Sequence, residues 1–164
     1  MTTRNEAPAL SSASVRAGGV AGVRIVLGVV FVAGSTLRGV VGGLAVVAAL
    51  AGALVLAVIA FGKRGRSAGT GFAGALPVPA NASFDPAWLG VLFACIPGTI
   101  GVSTMAVVAL VVSPALAAVL GGVLVALGVL AATFWAQLAA RERRDETSYW
   151  IERGPRPRLF VARS

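Results

Sequence analysis

Residues 39–62 read GVVGGLAVVAALAGALVLAVIAFG, 24 positions without a charge, and they run straight into Lys63-Arg64-Gly65-Arg66. An α-helix rises about 1.5 Å per residue, so about 20 apolar residues cross a hydrocarbon core of about 30 Å. This stretch meets that length, and the basic cluster marks the side on which it ends. Two further stretches, residues 87–112 and 114–140, are also free of charge, and residues 17–37 carry only Arg24. The sequence therefore predicts an all-α integral membrane protein, a bundle of four transmembrane helices over residues 17–37, 39–62, 87–112 and 114–140.

The punctuation between these stretches agrees. Asp85-Pro86 and Ser113-Pro114 each pair a capping residue with a proline at the first helical position, which starts the third and fourth helices. Gly34-Ser35-Thr36-Leu37-Arg38-Gly39 has the polarity of a turn between the first two. A slid alternative places those two helices at residues 25–41 and 44–61, with the turn at Gly42-Gly43. In the preferred version Arg24 lies inside the first span, near its end, where a long cationic side chain can reach the headgroups.

Composition supports a membrane location and excludes much chemistry. Hydrophobic residues make up 57% of the 164 residues and charged ones only 12%, with a mean hydropathy of +0.89. So few charges do not cover a soluble domain of this size. One cysteine and no histidine leave no intrachain disulfide and no ordinary zinc, haem or iron–sulfur ligand set, so no cofactor is expected. The spans hold no carboxylate, which argues against a proton-coupled carrier. There is no histidine to act as a general base, and the two aspartates, Asp85 and Asp145, are not paired as lipid headgroup transfer requires, so an enzyme is not expected. Gly69-Thr70-Gly71-Phe72-Ala73-Gly74 matches the dinucleotide-binding pattern by letter but lacks the strand, helix and distant acid that give that pattern meaning.

The net charge of +8 would suggest nucleic acid in a soluble protein, but here it reads as topology. With four spans and a cytoplasmic N-terminus, thirteen of the fourteen cations fall on the cytoplasmic side and Arg38 alone faces out. Both termini are then cytoplasmic. Arginine outnumbers lysine thirteen to one, and alanine, glycine and valine abound, as in GC-rich bacterial genomes. The expected location is the bacterial cytoplasmic membrane, with several passes. The expected soluble parts are a disordered tail over residues 1–16, a connection over residues 63–86 and a basic-aromatic tail over residues 141–164.

Two regions are candidates for function. In the third span Ile96-Pro97-Gly98 predicts a kink, and Cys95, Thr99 and Ser103 follow at spacings of four with Thr104 beside them. With Pro97 they form either a polar track at a broken helix or hydroxyls satisfied by their own helix backbone. In the C-terminal tail, residues 141–146 extend the last helix. Tyr149-Trp150-Ile151 and Leu159-Phe160-Val161 then flank a Pro-Gly turn, either as a hairpin or lying flat on the bilayer. Tyr149, Trp150, Arg153, Arg156, Arg158 and Phe160 are the candidate residues for docking a partner or lipid.

The function these features favour is non-enzymatic: an accessory, assembly or scaffolding subunit of a larger membrane complex. The alternative is an oligomeric channel or transporter built on the kinked polar helix. Expected partners are the bilayer, with anionic lipids at its cytoplasmic face, and a membrane protein or a second copy of the chain; nucleic acid is not expected.

Overall fold

The computed structural model describes residues 8–64, 75–96, 98–152 and 158–163, with side chains for all of these except 55–64 and 163. The chain is mostly helical. Its helices are α1 (Ala13–Leu37), α2 (Gly42–Arg64), α3 (Ala87–Cys95), α4 (Gly98–Val112) and α5 (Pro114–Asp145). Two of them, α1 and α5, are long and apolar enough to cross a membrane. The pair α3 and α4 reaches that standard together, with a bend of 55° where they meet. Helix α2 is apolar over Gly42–Leu54, the part whose side chains are described.

Helix ends follow local chemistry. The α1–α2 break falls at Arg38-Gly39, as the polarity of residues 34–39 predicts. Gly39 takes a left-handed φ of 91°, the Gly39 N–H donates to the Thr36 carbonyl at 3.0 Å, and the Val40 N–H donates to the Ser35 carbonyl at 3.2 Å. This is the Schellman arrangement that closes a helix and uses up its last carbonyls. Ser35 and Thr36 remain helical because their hydroxyls donate back to the Val32 and Ala33 carbonyls, at 2.6 and 2.7 Å. At the start of α1, Ser12 accepts from the Val15 N–H at 3.5 Å, so the helix begins at Ala13, four residues before the expected start. The cap of α3 is Pro86 rather than Asp85, without a side-chain hydrogen bond. The Asp85 N–H instead donates to the Leu10 carbonyl at 2.8 Å.

The all-α expectation needs one correction, because the chain also forms a five-stranded sheet. Its strands are β1 (Ala9–Ser12), β2 (Leu76–Pro77), β3 (Ser83–Phe84), β4 (Thr147–Glu152) and β5 (Leu159–Arg163), in the order β2-β5-β4-β1-β3. Strands β4 and β5 are the antiparallel hairpin anticipated from the two apolar triplets, with Tyr149 opposite Val161 and Trp150 opposite Phe160. Strand β1 lies antiparallel to β4 and parallel to β3, and β2 lies parallel to β5. Residues 9–16, which belong to the N-terminal segment set apart in the sequence, form β1 and the first turn of α1. The connecting segment and the C-terminal tail contribute strands as well. Strands β1, β2 and β3 were hidden in the sequence because they are only two to four residues long and their partners lie far away along the chain.

The sheet sits at the end of the bundle where α1 and α3 begin and α5 ends. One face packs on the helices: Tyr149 clusters with Ala13 and Leu138, backed by Phe134, Ile151, Leu159 and Val161. Within the bundle α5 is the central element, packing on α1, α2 and α4. Glycine permits the closest approaches. A Cβ on Gly28 would lie 2.6 Å from the Gly121 carbonyl oxygen, and one on Gly121 would lie 2.8 Å from that of Gly28. Gly52 and Gly122 let α2 approach α5 in the same way, against the backbone of Val119 and of Ala49. Such close packing of small residues is what holds helices together in lipid, where apolar side chains gain nothing by leaving the lipid for one another.

Candidate functional site

The break between α3 and α4 gathers the hydroxyls and the thiol picked out by spacing. Cys95, Thr99, Ser103 and Thr104 all line one cavity of about 490 Å³ between α1, α3 and α4. The rest of its wall is apolar: Val23 and Leu27 from α1, Trp88, Val91 and Leu92 from α3, Ile100 and Val107 from α4. Trp88, Leu92 and Ile100 are exposed, so the cavity opens sideways, toward the surface of the bundle. Pro97 and the basic cluster residue Arg66, like the Gly69–Gly74 motif, lie outside the described residues.

The hydroxyls do not behave as a row of backbone-satisfied groups. Thr104 donates to the Ile100 carbonyl at 3.0 Å, one turn back in its own helix. Thr99 is 1% exposed, and its Oγ1 accepts from Nε of Arg24 at 2.8 Å, across the α1–α4 contact. The Ser103 Oγ is buried without a partner among the described residues. Arg24 is therefore held inside the bundle by Thr99, rather than extended alone to the headgroups. A guanidinium in apolar surroundings needs such a hydrogen-bond acceptor, and Thr99 is placed to provide one. Cys95, the single cysteine of the chain, is buried.

A second, smaller cavity of about 220 Å³ lies at the junction of bundle and sheet, and it includes Arg24 together with Arg16. Ala13, Ala17 and Val20 of α1, Ala94 of α3, Ala131 and Phe134 of α5, and Ile151 of β4 form the rest of it. Neither arginine has a carboxylate within ion-pair reach among the described residues. Arg16 was counted as a topological charge in the sequence; its place in this recess depends on β4 folding back onto α1 and α5.

The tail residues divide by role. Tyr149 and Phe160 are buried, so they build the sheet and are not available on its surface. Trp150 is partly covered and meets Phe84 edge-on, with ring centroids 4.7 Å apart at 63°. Phe84, which the sequence did not single out, is 58% exposed on the same face, as β1–β4 pairing and the Leu10–Phe84 register require. Arg158 is exposed at the start of β5, while Arg153 and Arg156 lie outside the described residues. Among the described residues the exposed apolar surface of the sheet includes Phe84, Leu76, Pro77 and the rim of Trp150, not the whole aromatic set.

Comparison with known protein families, curated proteins and solved structures finds no match to this chain.

Proposed function

We propose that this chain is a non-enzymatic membrane protein of four spans, with both ends and the middle connection in the cytoplasm, that serves as an accessory or scaffolding subunit of a larger membrane complex. The observation that carries the proposal is the composition of the sheet. Its strands come from the N-terminal segment, the connection and the C-terminal tail, three stretches separated in sequence by the helices. Strands cannot pair across hydrocarbon, where free backbone groups have no water. If the helices span, all three stretches share one side, and an even number of crossings separates each from the next. Helices α1 and α2 supply the first two crossings, and the bent pair α3–α4 together with α5 supplies the second two. Thirteen of fourteen cations fall on that side as well.

A folded platform attached to four spans, with Phe84 and Leu76 exposed on it, suits a docking role. The transport alternative is less well supported. The polar groups of the third span face an apolar cavity, and Thr99 is already engaged by Arg24.

Two measurements test the reading. Cysteines introduced by Ser83→Cys and Ser148→Cys, in a C95A background, should react with an impermeant maleimide from the same side of sealed vesicles. Labelling from opposite sides would refute the topology. Gentle native purification followed by mass spectrometry should recover a partner in fixed stoichiometry with the wild type, and F84S should lose it while the sheet stays folded. A solitary monomer in mild detergent would refute the scaffolding role.

A further inference from the structure

We infer that the recess lined by Arg16 and Arg24 binds the phosphate of an anionic membrane lipid, with the lipid chain lying in the neighbouring apolar cavity along α3 and α4. The inference rests on the membrane reading of the helices. It goes beyond a general attraction of basic residues to a charged leaflet, because it assigns two particular arginines to one built site.

The first argument is electrostatic. Arg16 and Arg24 line a small recess whose other residues are alanine, valine, isoleucine and phenylalanine, and no carboxylate is among the residues that line it. Placing cations in apolar surroundings without a counter-charge is costly. Arg24 spends its Nε on Thr99, at 2.8 Å, which fixes the guanidinium and leaves its two terminal nitrogens without a partner among the described residues. A planar fork with free donors suits a phosphate, which accepts two parallel hydrogen bonds.

The second argument is position. Helix α1 starts at Ala13 directly from the sheet, so Arg16 lies within one turn of the sheet, and Arg24 lies about 12 Å deeper along the axis. That is headgroup depth at one end and the edge of the hydrocarbon at the other. Trp88, on the first turn of α3, and Trp135, on the inner part of α5 against Gly18, stand at the same level, where tryptophan favours a membrane interface. Basic pockets between spans on the cytoplasmic side are the usual setting for anionic headgroups.

The third argument is the adjoining space. Thr99, the partner of Arg24, also lines the cavity of about 490 Å³. This cavity has the size of ligand sites in general, it is walled mainly by aliphatic side chains, and it opens sideways past Leu92 and Ile100. An acyl chain can enter it from the bilayer, whereas a soluble anion has no use for it. A free phosphate would match the arginines alone; the lipid matches both cavities.

The test is a titration of delipidated protein in detergent, followed by native mass spectrometry, with phosphatidylglycerol and phosphatidylcholine as probes. Wild type should bind phosphatidylglycerol roughly thirtyfold more tightly, taking about fivefold for each basic group near an anionic headgroup. The R16Q/R24Q variant should lose this preference, and R16K/R24K should keep most of it. Equal binding of the two lipids by the wild type would overturn the inference, as would full preference in the glutamine variant. If that variant does not fold, R16Q and R24Q made singly should each lose about fivefold of the preference, and full preference in both would overturn the inference. Inorganic phosphate should fail to displace bound phosphatidylglycerol; displacement would assign the site to a soluble anion and overturn the lipid. Retention of the chain in alkali-washed membranes tests the membrane reading separately, so failure of that reading and failure of the lipid site are distinguishable.

Discussion

Gly28→Ala should loosen the central helix contact. The added methyl would sit 2.6 Å from the Gly121 carbonyl oxygen, 2.6 Å from Cγ2 of Val125 and 2.9 Å from the Val125 nitrogen. Ordinary contact begins near 3.4 Å, so α1 and α5 must separate by about 0.8 Å at this point. Two of the three obstacles are backbone atoms, which no rotamer change can move. Overpacking of this kind costs about 1–3 kcal/mol, and the better helix propensity of alanine returns up to about 1 kcal/mol. A net loss of about 1–2 kcal/mol corresponds to a drop of several degrees in melting temperature, at about 2–4 °C per kcal/mol for a chain of this size. The assay is thermal melting in mild detergent, followed by the fluorescence of Trp88, Trp135 and Trp150. Gly22→Ala is the control, because a Cβ there meets nothing within 4 Å. It should melt at or above the wild type. The reasoning fails if Gly28→Ala melts with the wild type, or if Gly22→Ala falls as far.

Thr99→Val removes the acceptor of the Arg24 hydrogen bond and leaves a charged donor unmatched inside the bundle. It should cost about 1–3 kcal/mol in the same melts, and Thr99→Ser should recover most of the loss; a Thr99→Val protein as stable as wild type would count against the contact. Tyr149→Ala removes the side chain that joins the sheet to Ala13 and Leu138, a truncation in the class worth about 3–5 kcal/mol. Trypsin should then cut after Arg158 much faster, whereas Phe84→Ala, at an exposed position, should leave the rate nearly unchanged. Gly39→Ala places a Cβ at a φ of 91° and should cost about 1–2 kcal/mol, with Gly39→Asn milder; equal stability of all three proteins would contradict the Schellman closure.

Much of the helical layout was legible because each feature has a local cause. The Arg38-Gly39 turn, the proline start of α5, the bend of the third apolar stretch and the extension of α5 to Asp145 each follow from a few adjacent residues. The hairpin of residues 147–163 was legible as one of two options, because two apolar triplets around a Pro-Gly turn pair locally. Strand β1 was not, since Ala9–Ser12 has no alternating pattern and becomes a strand only by meeting Phe84 and Trp150. Close glycine contacts were illegible for a similar reason. Gly22, Gly39, Gly42 and Gly43 meet nothing within 4 Å. Gly28, Gly52, Gly121 and Gly122 make the tight crossings, and nothing along the chain sets them apart from the rest of a glycine-rich sequence.

The sequence by itself determined the apolar helices, the places of the charges along the chain and the single cysteine without a histidine, because length, charge and side-chain chemistry act position by position. Tertiary structure alone decided that both ends and the connection share one sheet, that Tyr149 and Phe160 serve as its interior, that Thr99 holds Arg24, and that Arg16 and Arg24 share a recess. These depend on residues up to 142 positions apart meeting in space, and no local pattern encodes which distant partner a side chain will find.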